Sequence, residues 1–180
     1  NECMNGFEYQ VAGHMIWEGL VTEGLAVTRM IHDRYHAARR NPWNEVECGD
    51  HYARSMASYG VYLAACGYEY HGPKGHLAFA PRLTPDNFRA AFTTAEGWGT
   101  FTQKREGGKQ TDTIEVKFGQ LRLNSLEFAV PENSRPTQAT ATAPGKSLTV
   151  TMERKAGRAR ITFAEPVLLA ATQMLQVQIS

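Results

Sequence analysis

The sequence predicts an α + β protein in which helices over residues 1–96 are followed by an antiparallel β region over residues 97–180. Two observations support this division. Apolar residues recur at helical spacing in the first part, and from Gly97 onward they alternate with polar residues, as in half-buried strands. Turn signals such as Gly107-Gly108 then separate the alternating segments. We therefore expect two domains that meet near residue 97.

Two helices are predicted at the start of the chain. Apolar residues at helical spacing mark one face of the first helix, namely Phe7, Val11, Met15 and Ile16. Gly19 is expected to break the helical pattern, and a second helix follows it. Asn41-Pro42 is expected to end the second helix, because the residue before a proline disfavours the helical conformation.

Two further helices are predicted before the β region. Asp50 is suited to cap a third helix over residues 51–66, and Gly67 is suited to end it. The segment TPDNFRAAFTTAEG begins with Thr84 as a cap and Pro85 at the first helical position, which predicts a short fourth helix.

Strands are predicted in the alternating segments DTIEVKFG, LRLNSLEFAV, SLTVTME, ARITFAE and QMLQVQIS. In the first of these, Ile114, Val116 and Phe118 are expected to share one face. A sandwich-like arrangement would have an inner face formed by Leu148, Val150, Ile161, Phe163, Leu175 and Val177. Residues 131–146 are rich in Pro, Thr and Ala, which predicts an exposed connection.

Composition excludes several classes of function. The 180 residues include 19 basic and 18 acidic side chains, a net charge of +1, which argues against a nucleic-acid or anionic-membrane partner. No apolar run approaches the length of a membrane span. The sequence lacks the nucleotide-binding and nucleophile motifs GxGxxG, GxxxxGK[ST] and GxSxG, so no cofactor is expected.

The cysteines and the start of the chain bear on its location. Cys3, Cys48 and Cys66 form no CxxC pair, which favours free buried thiols in a reducing compartment over a metal site, and predicts a cytoplasmic protein. The segment NECMNGFEYQ has no signal-peptide pattern, and a helix is already under way by Gly6-Phe7. We expect the sequence to be a piece of a longer chain whose N-terminal part is missing.

Arg54 is the only Asp, Glu, Lys or Arg in the third predicted helix, HYARSMASYGVYLAAC. That helix is apolar or small on nearly every side, which predicts burial. Burying an unpaired guanidinium costs several kcal/mol of desolvation free energy. Arg54 must therefore lie at the mouth of a site, or have a carboxylate partner, or both. Asp50 is required as a cap, which leaves Glu45 and Glu47 in the preceding loop.

An Arg–Glu pair at this place has two interpretations. It either pins the loop to the helix, or it points into a concave site where Arg donates and Glu accepts hydrogen bonds from sugar hydroxyls. In the second case Trp43, Trp17 and Tyr52 would offer apolar faces to a sugar ring, although ordinary core positions are the favoured explanation of these three aromatics. His51 would lie at the rim of such a site.

His32 and His36 have the i, i+4 spacing of a metal pair on a helix. No third ligand follows at a suitable spacing and the flanking residues are charged. We therefore expect a solvated helix face there, and no metal site.

The segments ECMNGFEYQVAGHMIWEGL and RNPWNEVECGDHYARSMASYG, followed by GY and GWGTF, resemble the C-terminal part of the catalytic domain of glycoside hydrolase family 116. This is the family of non-lysosomal β-glucosidases and glucosylceramidases. The resemblance extends from residue 1 to about residue 103. It implies the C-terminal helices of an (α/α)6 toroid and a retaining β-glycosidase with a nucleophile and a general acid/base.

The resemblance also implies roles for particular residues. Both catalytic carboxylates of the family lie upstream of ECMNGFEYQ, so this chain is expected to contain no catalytic residue and to be inactive alone. Glu45 and Arg54 resemble the family's glucose-binding residues, Glu2 is a further candidate near the site, and Glu47 is expected to be structural. The expected ligand is a β-glucoside.

A second hypothesis belongs to another class of protein. The chain would be a carbohydrate-binding or structural assembly module without catalysis, with the β region in the binding role. Aromatic residues projecting from one sheet face would favour it, and the candidates are Trp98, Phe101, Phe118, Phe128 and Phe163. Most of them alternate with polar residues as core positions do.

Overall fold

The computed structural model describes residues 3–35, 38 and 54–180, with the backbone alone described for Arg54 and Ser55. Contacts divide the chain into two compact units, Asn1–Gly67 and Tyr68–Ser180. We call them the helical unit and the β unit. No helix in the described ranges is long and apolar enough to cross a membrane.

The predicted fold class is wrong. The chain is mostly β, and its described residues contain three short α-helices rather than a portion of a helical toroid. The sequence predicted loop and helix between Gly67 and residue 97. This segment instead contains the first strands of the β unit. The helical part is therefore much smaller than an (α/α)6 segment requires.

The helical unit consists of α1 (Asn5–Trp17), α2 (Val21–His32), a 3-10 helix (Arg54–Ala57) and α3 (Ser58–Cys66). Gly19 and Gly67 have left-handed backbone angles, as expected for residues that end helices. The predicted third helix begins differently, because Arg54–Ala57 is 3-10 and the α-helix starts at Ser58. The proposed cap Asp50 lies outside the described residues.

The buried face of α1 matches the predicted apolar stripe only at Ile16. Phe7 and Val11 are exposed, whereas the residues that face α2 and α3 are Asn5, Tyr9, Ala12, Gly13 and Ile16. Small residues set this orientation because they let backbones approach closely. A Cβ on Gly24 of α2 would lie 2.7 Å from the carbonyl oxygen of Ala12. Phe7 and Val11 are therefore left on its other side.

Buried polar groups connect the start of α1 to the end of α2. The Asn5 side chain is fully buried; its Nδ2 donates to Tyr35 Oη at 2.7 Å and its Oδ1 accepts from Arg34 Nη2 at 2.6 Å. Arg34 also pairs with Glu8. These bonds satisfy an amide that would otherwise be costly to bury.

The β unit, all of whose residues are described, contains ten strands. They are β1 (Glu69–His71), β2 (His76–Phe79), β3 (Asn87–Thr93), β4 (Gly97–Glu106), β5 (Lys109–Ala129), β6 (Ala139–Ala143), β7 (Lys146–Leu148), β8 (Val150–Lys155), β9 (Arg158–Ala170) and β10 (Met174–Ile179). Strand β6 lies inside the segment expected to be an exposed connection.

The long strand β5 belongs to two sections of one sheet. Its first half pairs with β4 and β10, in the section ordered β3-β4-β5-β10-β6-β7. Its second half pairs with β2 and β9, in the section ordered β1-β2-β5-β9-β8. The β2–β5 pair is parallel, so the sheet is mixed rather than purely antiparallel as expected.

Stacked phenylalanines join the two sections face to face. The ring of Phe79 in β2 stacks on Phe101 in β4 with centroids 3.9 Å apart, and Phe128 of β5 stacks on the other side at 5.8 Å. Of the six residues predicted for an inner face, Ile161, Phe163, Leu175 and Val177 are buried, and Leu148 and Val150 are half-buried. The core of the β unit thus lies between the sections.

The predicted fourth helix is wrong, because TPDNFRAAFTTAEG contains strand β3. Phe88, Ala90 and Phe92 are buried in alternation. Phe88 and Phe92 are four residues apart, a spacing that fits one helix face or one strand face equally. Thr84 has a left-handed φ of 41° and accepts a hydrogen bond from the Asn87 N–H in a turn, instead of capping a helix.

Candidate functional site

The residues predicted to bind sugar lie largely outside the described part of the chain. Glu2, Trp43, Glu45 and His51 fall in the segments that are not described, as do Glu47 and Tyr52. Arg54 is described by its backbone alone, which begins the 3-10 helix leading into α3. The pairing of Arg54 with Glu45 therefore stays a prediction.

The helical unit has a groove of about 430 Å³ on α1 and α3. Its lining combines the rings of Tyr9 and Trp17 with polar side chains, including His14 and Glu18, whose Nε2 and Oε1 are 3.5 Å apart. Among the described residues, no three His, Cys, Asp or Glu side chains are grouped as metal ligands.

Free thiols are present in the helical unit. Cys3 is half-buried and Cys66 is buried, and neither forms a disulfide. Burial raises the pKa of the Cys66 thiol to about 11. At neutral pH the thiol is protonated, so it is not a nucleophile. Cys48 lies outside the described residues.

Two aromatic side chains stand exposed and opposite each other in the β unit. Trp98 of β4 pairs with Phe118 of β5, and their side chains are 48% and 65% exposed. A register shift between Trp98 and Gly99 places Lys117 between the paired residues. This β-bulge turns Phe118 away from the face of Ile114 and Val116, where the alternation predicted it. We call Trp98 and Phe118 the aromatic pair.

Glycines make this bulge possible. A Cβ on Gly99 would lie 2.0 Å from the carbonyl oxygen of Glu115, and one on Gly97 would lie 2.3 Å from that of Phe118. Gly119 has a left-handed φ of 73°. No larger residue fits these positions without movement of the backbone, so the aromatic pair is held by the local chain path.

Charged groups flank the aromatic pair. Glu96 accepts hydrogen bonds from Gln120 Nε2 at 3.1 Å and from Arg122 Nε at 2.9 Å. On the other flank Lys117 Nζ lies 2.5 Å from Glu115 Oε1, and this hydrogen bond is the main reason that the pKa of Glu115 is lowered. The surface therefore combines two apolar rings with exposed donors and acceptors.

A cavity of about 590 Å³ lies at the end of the β unit where β4 turns into β5. Its walls come from that turn, from the segment after β5, and from the end of β10. Charged lining residues are Arg105, Lys109 and Arg135, with Asp86 and Glu106 of opposite sign. Gly107 and Gly108 form the tight turn at its edge, both with left-handed φ. We call this space the hairpin cavity.

A buried hydrogen-bond network lies behind the hairpin cavity. Gln110 Nε2 donates to Asp112 Oδ2 at 2.9 Å and to the Ala129 carbonyl oxygen at 3.1 Å. Its Oε1 accepts from Arg105 Nε at 2.8 Å, and Gln103 Oε1 lies 3.2 Å from Gln110 Nε2. Gln103, Gln110 and Asp112 are all buried. The inward face of β4 and β5 thus changes from apolar to polar at this end.

Asp112 is the unusual member of the network. Burial raises the pKa of its carboxyl group to about 8, against the lowering effects of the Gln110 hydrogen bond and the Arg105 charge. Its Oδ1 has no hydrogen-bond partner among the described residues. The carboxyl group is therefore protonated at neutral pH.

Sequence reasoning named Trp98 and Phe118 among five aromatic candidates of the β region without separating them from the core rings, and it missed the hairpin cavity and its network. The signal for the aromatic pair was Trp98 between two glycines, in GWG. The signal for the network was that the polar residues Gln110 and Asp112 occupy the same alternating positions of the strand as the buried Ile114 and Val116. Each signal needs the strand register before it can be interpreted.

Comparisons with known proteins show limited similarity. No protein-family model matches the sequence, and no curated protein matches it significantly. Solved structures that are similar in part include a glycoside hydrolase, with 18% identity and a TM-score of 0.37 over 71% of this chain. The α-L-rhamnosidase from Dictyoglumus thermophilum is 11% identical, with a TM-score of 0.37 over 77% of this chain.

A third structure, the bovine atadenovirus type 4 fibre head, is 12% identical with a TM-score of 0.23, over 51% of this chain and 94% of its own. The chain spans 19% and 16% of the length of the glycoside hydrolase and the rhamnosidase. TM-scores below 0.5 do not establish a shared fold.

Proposed function

We propose that this chain is part of a retaining β-glycosidase that acts on β-glucosides, in which the segment before α3 supplies part of the sugar-binding wall. The observation that supports this most is the continuous motif NPWNEVECGDHYARS, which resembles the glucose-binding segment of glycoside hydrolase family 116. Arg54 stands where this motif enters the 3-10 helix before α3.

The proposed chemistry divides between this chain and the rest of the enzyme. Arg54 donates hydrogen bonds to sugar oxygens and Glu45 accepts them from sugar hydroxyls, which orients the glucose ring. In a retaining enzyme a carboxylate displaces the aglycone to form a glycosyl ester, and water then hydrolyses that ester. Neither carboxylate is assigned to this chain, so the chain binds the sugar without cleaving the bond.

The first test measures hydrolysis by the chain alone and sugar binding in an enzyme that contains the chain. The chain alone is expected to release no chromophore from an aryl β-glucoside, and steady release would refute the division of roles. In an enzyme that contains the chain, Glu45→Ala or Arg54→Ala should lower kcat/KM by about tenfold or more, since each removes hydrogen bonds to or from a charged group.

A matched control for these variants is Arg29→Ala, which removes an exposed arginine of α2 that pairs with Asp33. It should leave kcat/KM unchanged. Normal kinetics in both Glu45→Ala and Arg54→Ala, or an equal loss in Arg29→Ala, would contradict the proposed sugar-binding role.

The aromatic pair favours a second candidate function, glycan binding by the β unit. Sugar rings present apolar faces that stack on exposed aromatic side chains, while their hydroxyls need donors and acceptors such as Arg122 and Glu96. Trp98→Ala or Phe118→Ala should then weaken binding of cellohexaose at least about tenfold, as expected for aromatic anchors. Leu168→Ala, which removes another exposed apolar side chain of the β unit, is the control. Calorimetry that detects no binding by the unaltered chain would rule this candidate out.

A further inference from the structure

The hairpin cavity has the dimensions of a small-molecule site. Its volume of about 590 Å³ falls within the range of ligand pockets, roughly 300–1,000 Å³. Val130 and Ile179 contribute apolar lining, and both are buried. Polar side chains converge on the same space from β4, from the β4–β5 turn and from the segment after β5. This combination of an apolar floor and a few convergent polar groups is typical of ligand sites.

The side chain of Arg105 is held rigidly at the wall of the hairpin cavity. It is 14% exposed, its Nε donates to Gln110 Oε1 at 2.8 Å, and its Nη2 donates to the Ala129 carbonyl oxygen at 2.9 Å. Gln110 is in turn held by Asp112, as described above. Two of the five guanidinium N–H groups are therefore committed to the protein, and they fix the plane of the group.

Within the described part of the chain, the remaining donors of Arg105 have no comparable partner. Nη1 lies 3.7 Å from Asp86 Oδ1, which is too long for a hydrogen bond, and the Asp86 side chain is 80% exposed. One N–H on each terminal nitrogen points in the same direction, the arrangement that binds a carboxylate through two parallel hydrogen bonds. An exposed carboxylate such as Asp86 competes weakly for this position because water solvates it well.

We propose that the hairpin cavity binds a small carboxylate-bearing molecule, about the size of a uronic acid, with its carboxylate held by the two terminal nitrogens of Arg105. Lys109 and Arg135 supply further positive charge around the ligand. The neutral Asp112 behind Arg105 adds no opposing charge at neutral pH. This proposal does not rest on the glycosidase function.

The test compares two sugars that differ in one group. Sodium glucuronate and glucose share the ring and hydroxyls, but glucuronate alone has the carboxylate. The ¹⁵N-labelled chain is titrated with each at the same ionic strength, because salt screens exposed charges. Glucuronate should bind at least about tenfold more tightly. The amide signals of Gly107, Gly108 and Asn133, which line the hairpin cavity, should move.

Variants then locate the carboxylate. Arg105→Lys keeps the charge but loses the paired donors, and should weaken glucuronate binding about tenfold or more. Arg105 also bonds to Ala129, so its replacement could disturb the fold. Arg135→Gln is therefore a second variant, because Arg135 makes no described bond to the protein. It should weaken glucuronate binding about twofold to fivefold. Arg154→Gln, an exposed arginine of β8 outside the cavity, should have no effect.

Three results would overturn the proposal. The first is equal affinity for glucose and glucuronate. The second is the absence of shifts at the cavity amides, or shifts at other sites only. The third is an equal loss of affinity in Arg154→Gln and Arg135→Gln, which would indicate general attraction of anions. Loss of β-glucoside binding through Glu45 or Arg54 would leave these measurements unaffected, so the two proposals fail separately.

Discussion

The helical unit and the β unit differ in how completely they bury their apolar side chains. Among the described residues of the helical unit, the buried cluster includes two alanines and consists of Tyr9, Ala12, Ile16, Ile31, Val61 and Ala64. Large apolar residues of its described helices remain exposed, among them Phe7, Val11 and Met30. The β unit instead packs its phenylalanines between two sheet sections, and its exposed rings, Trp98 and Phe118, stand at a bulge.

An apolar pattern in the sequence therefore does not by itself show which side chains form the core. Hydrophobic stabilisation is proportional to the apolar area removed from water, and alanine contributes little of it. We therefore expect the described part of the helical unit to have less hydrophobic stabilisation per residue than the β unit. We expect its amides to exchange with solvent at lower denaturant concentration than those of β4 and β5.

The largest expected effect tests the core of the β unit. Phe101→Ala removes the ring that stacks on both Phe79 and Phe128, and should reduce the free energy of unfolding by about 3–5 kcal/mol. Phe118→Ala, in the same sheet section but exposed, should change it by less than about 0.5 kcal/mol. Hydrogen exchange of β5 amides measures both. Similar losses in the two variants would contradict the distinction between core and surface rings.

A smaller effect tests close packing in the helical unit. Gly24→Ala should destabilise that unit by about 1–3 kcal/mol, because its Cβ would meet the Ala12 carbonyl oxygen and Ile16 Cγ1 at 2.7 Å. Gly60→Ala in α3 has open space around the new Cβ and should stabilise the unit by up to about 1 kcal/mol. Thermal unfolding followed by circular dichroism compares them, and a shift of the same sign in both would refute the packing argument.

An effect that is small within any one pH unit concerns the buried carboxyl group of Asp112. Its pKa is raised to about 8 by burial, above the usual value near 4 in the unfolded chain. Between those values the unfolded state loses a proton that the folded state keeps, so rising pH lowers stability. From pH 5 to pH 6 this amounts to about 1 kcal/mol. Below pH 4 the contribution is constant.

Asp112→Asn tests this assignment, since an amide of similar shape does not ionise. The groups that face position 112 are Gln103, Gln110 and the Arg105 guanidinium, so the variant removes the titrating group and leaves its surroundings. The slope of stability against pH between 4 and 8 should become flatter by about 1 kcal/mol per pH unit. An unchanged slope in urea unfolding at a series of pH values would show that Asp112 is ionised in the folded protein.

Much of the local structure was predictable because it depends on neighbouring residues. Gly19 and Gly67 end helices through their own backbone freedom, and the Gly107-Gly108 turn joins β4 to β5 in the same way. The strands that contain Ile161 and Leu175 were predicted from strict alternation. The errors came where two structures satisfy the same local pattern, as for Phe88 and Phe92 in β3.

The candidate sites were harder to predict for a different reason. The glucose-binding residues inferred from the motif, Glu45 and Arg54, depend on side chains outside those that the structure describes. The hairpin cavity depends on Arg105, Gln110 and Ala129, which meet through strand pairing between distant parts of the sequence. No local pattern contains that information.

The sequence by itself determined several helix ends, turns and strands, because glycine freedom and residue alternation act within a few positions, but it did not separate strand from helix at β3. The tertiary structure decided which sides of those segments are covered. It turned Phe118 outward, since a glycine-dependent bulge shifts the register at Gly99, and it turned Phe7 outward, since α1 packs through Ala12 and Gly13. It also buried Asp112, because strands from distant parts of the sequence cover that side chain. Burial raises the pKa of the carboxyl group and so keeps it protonated at neutral pH.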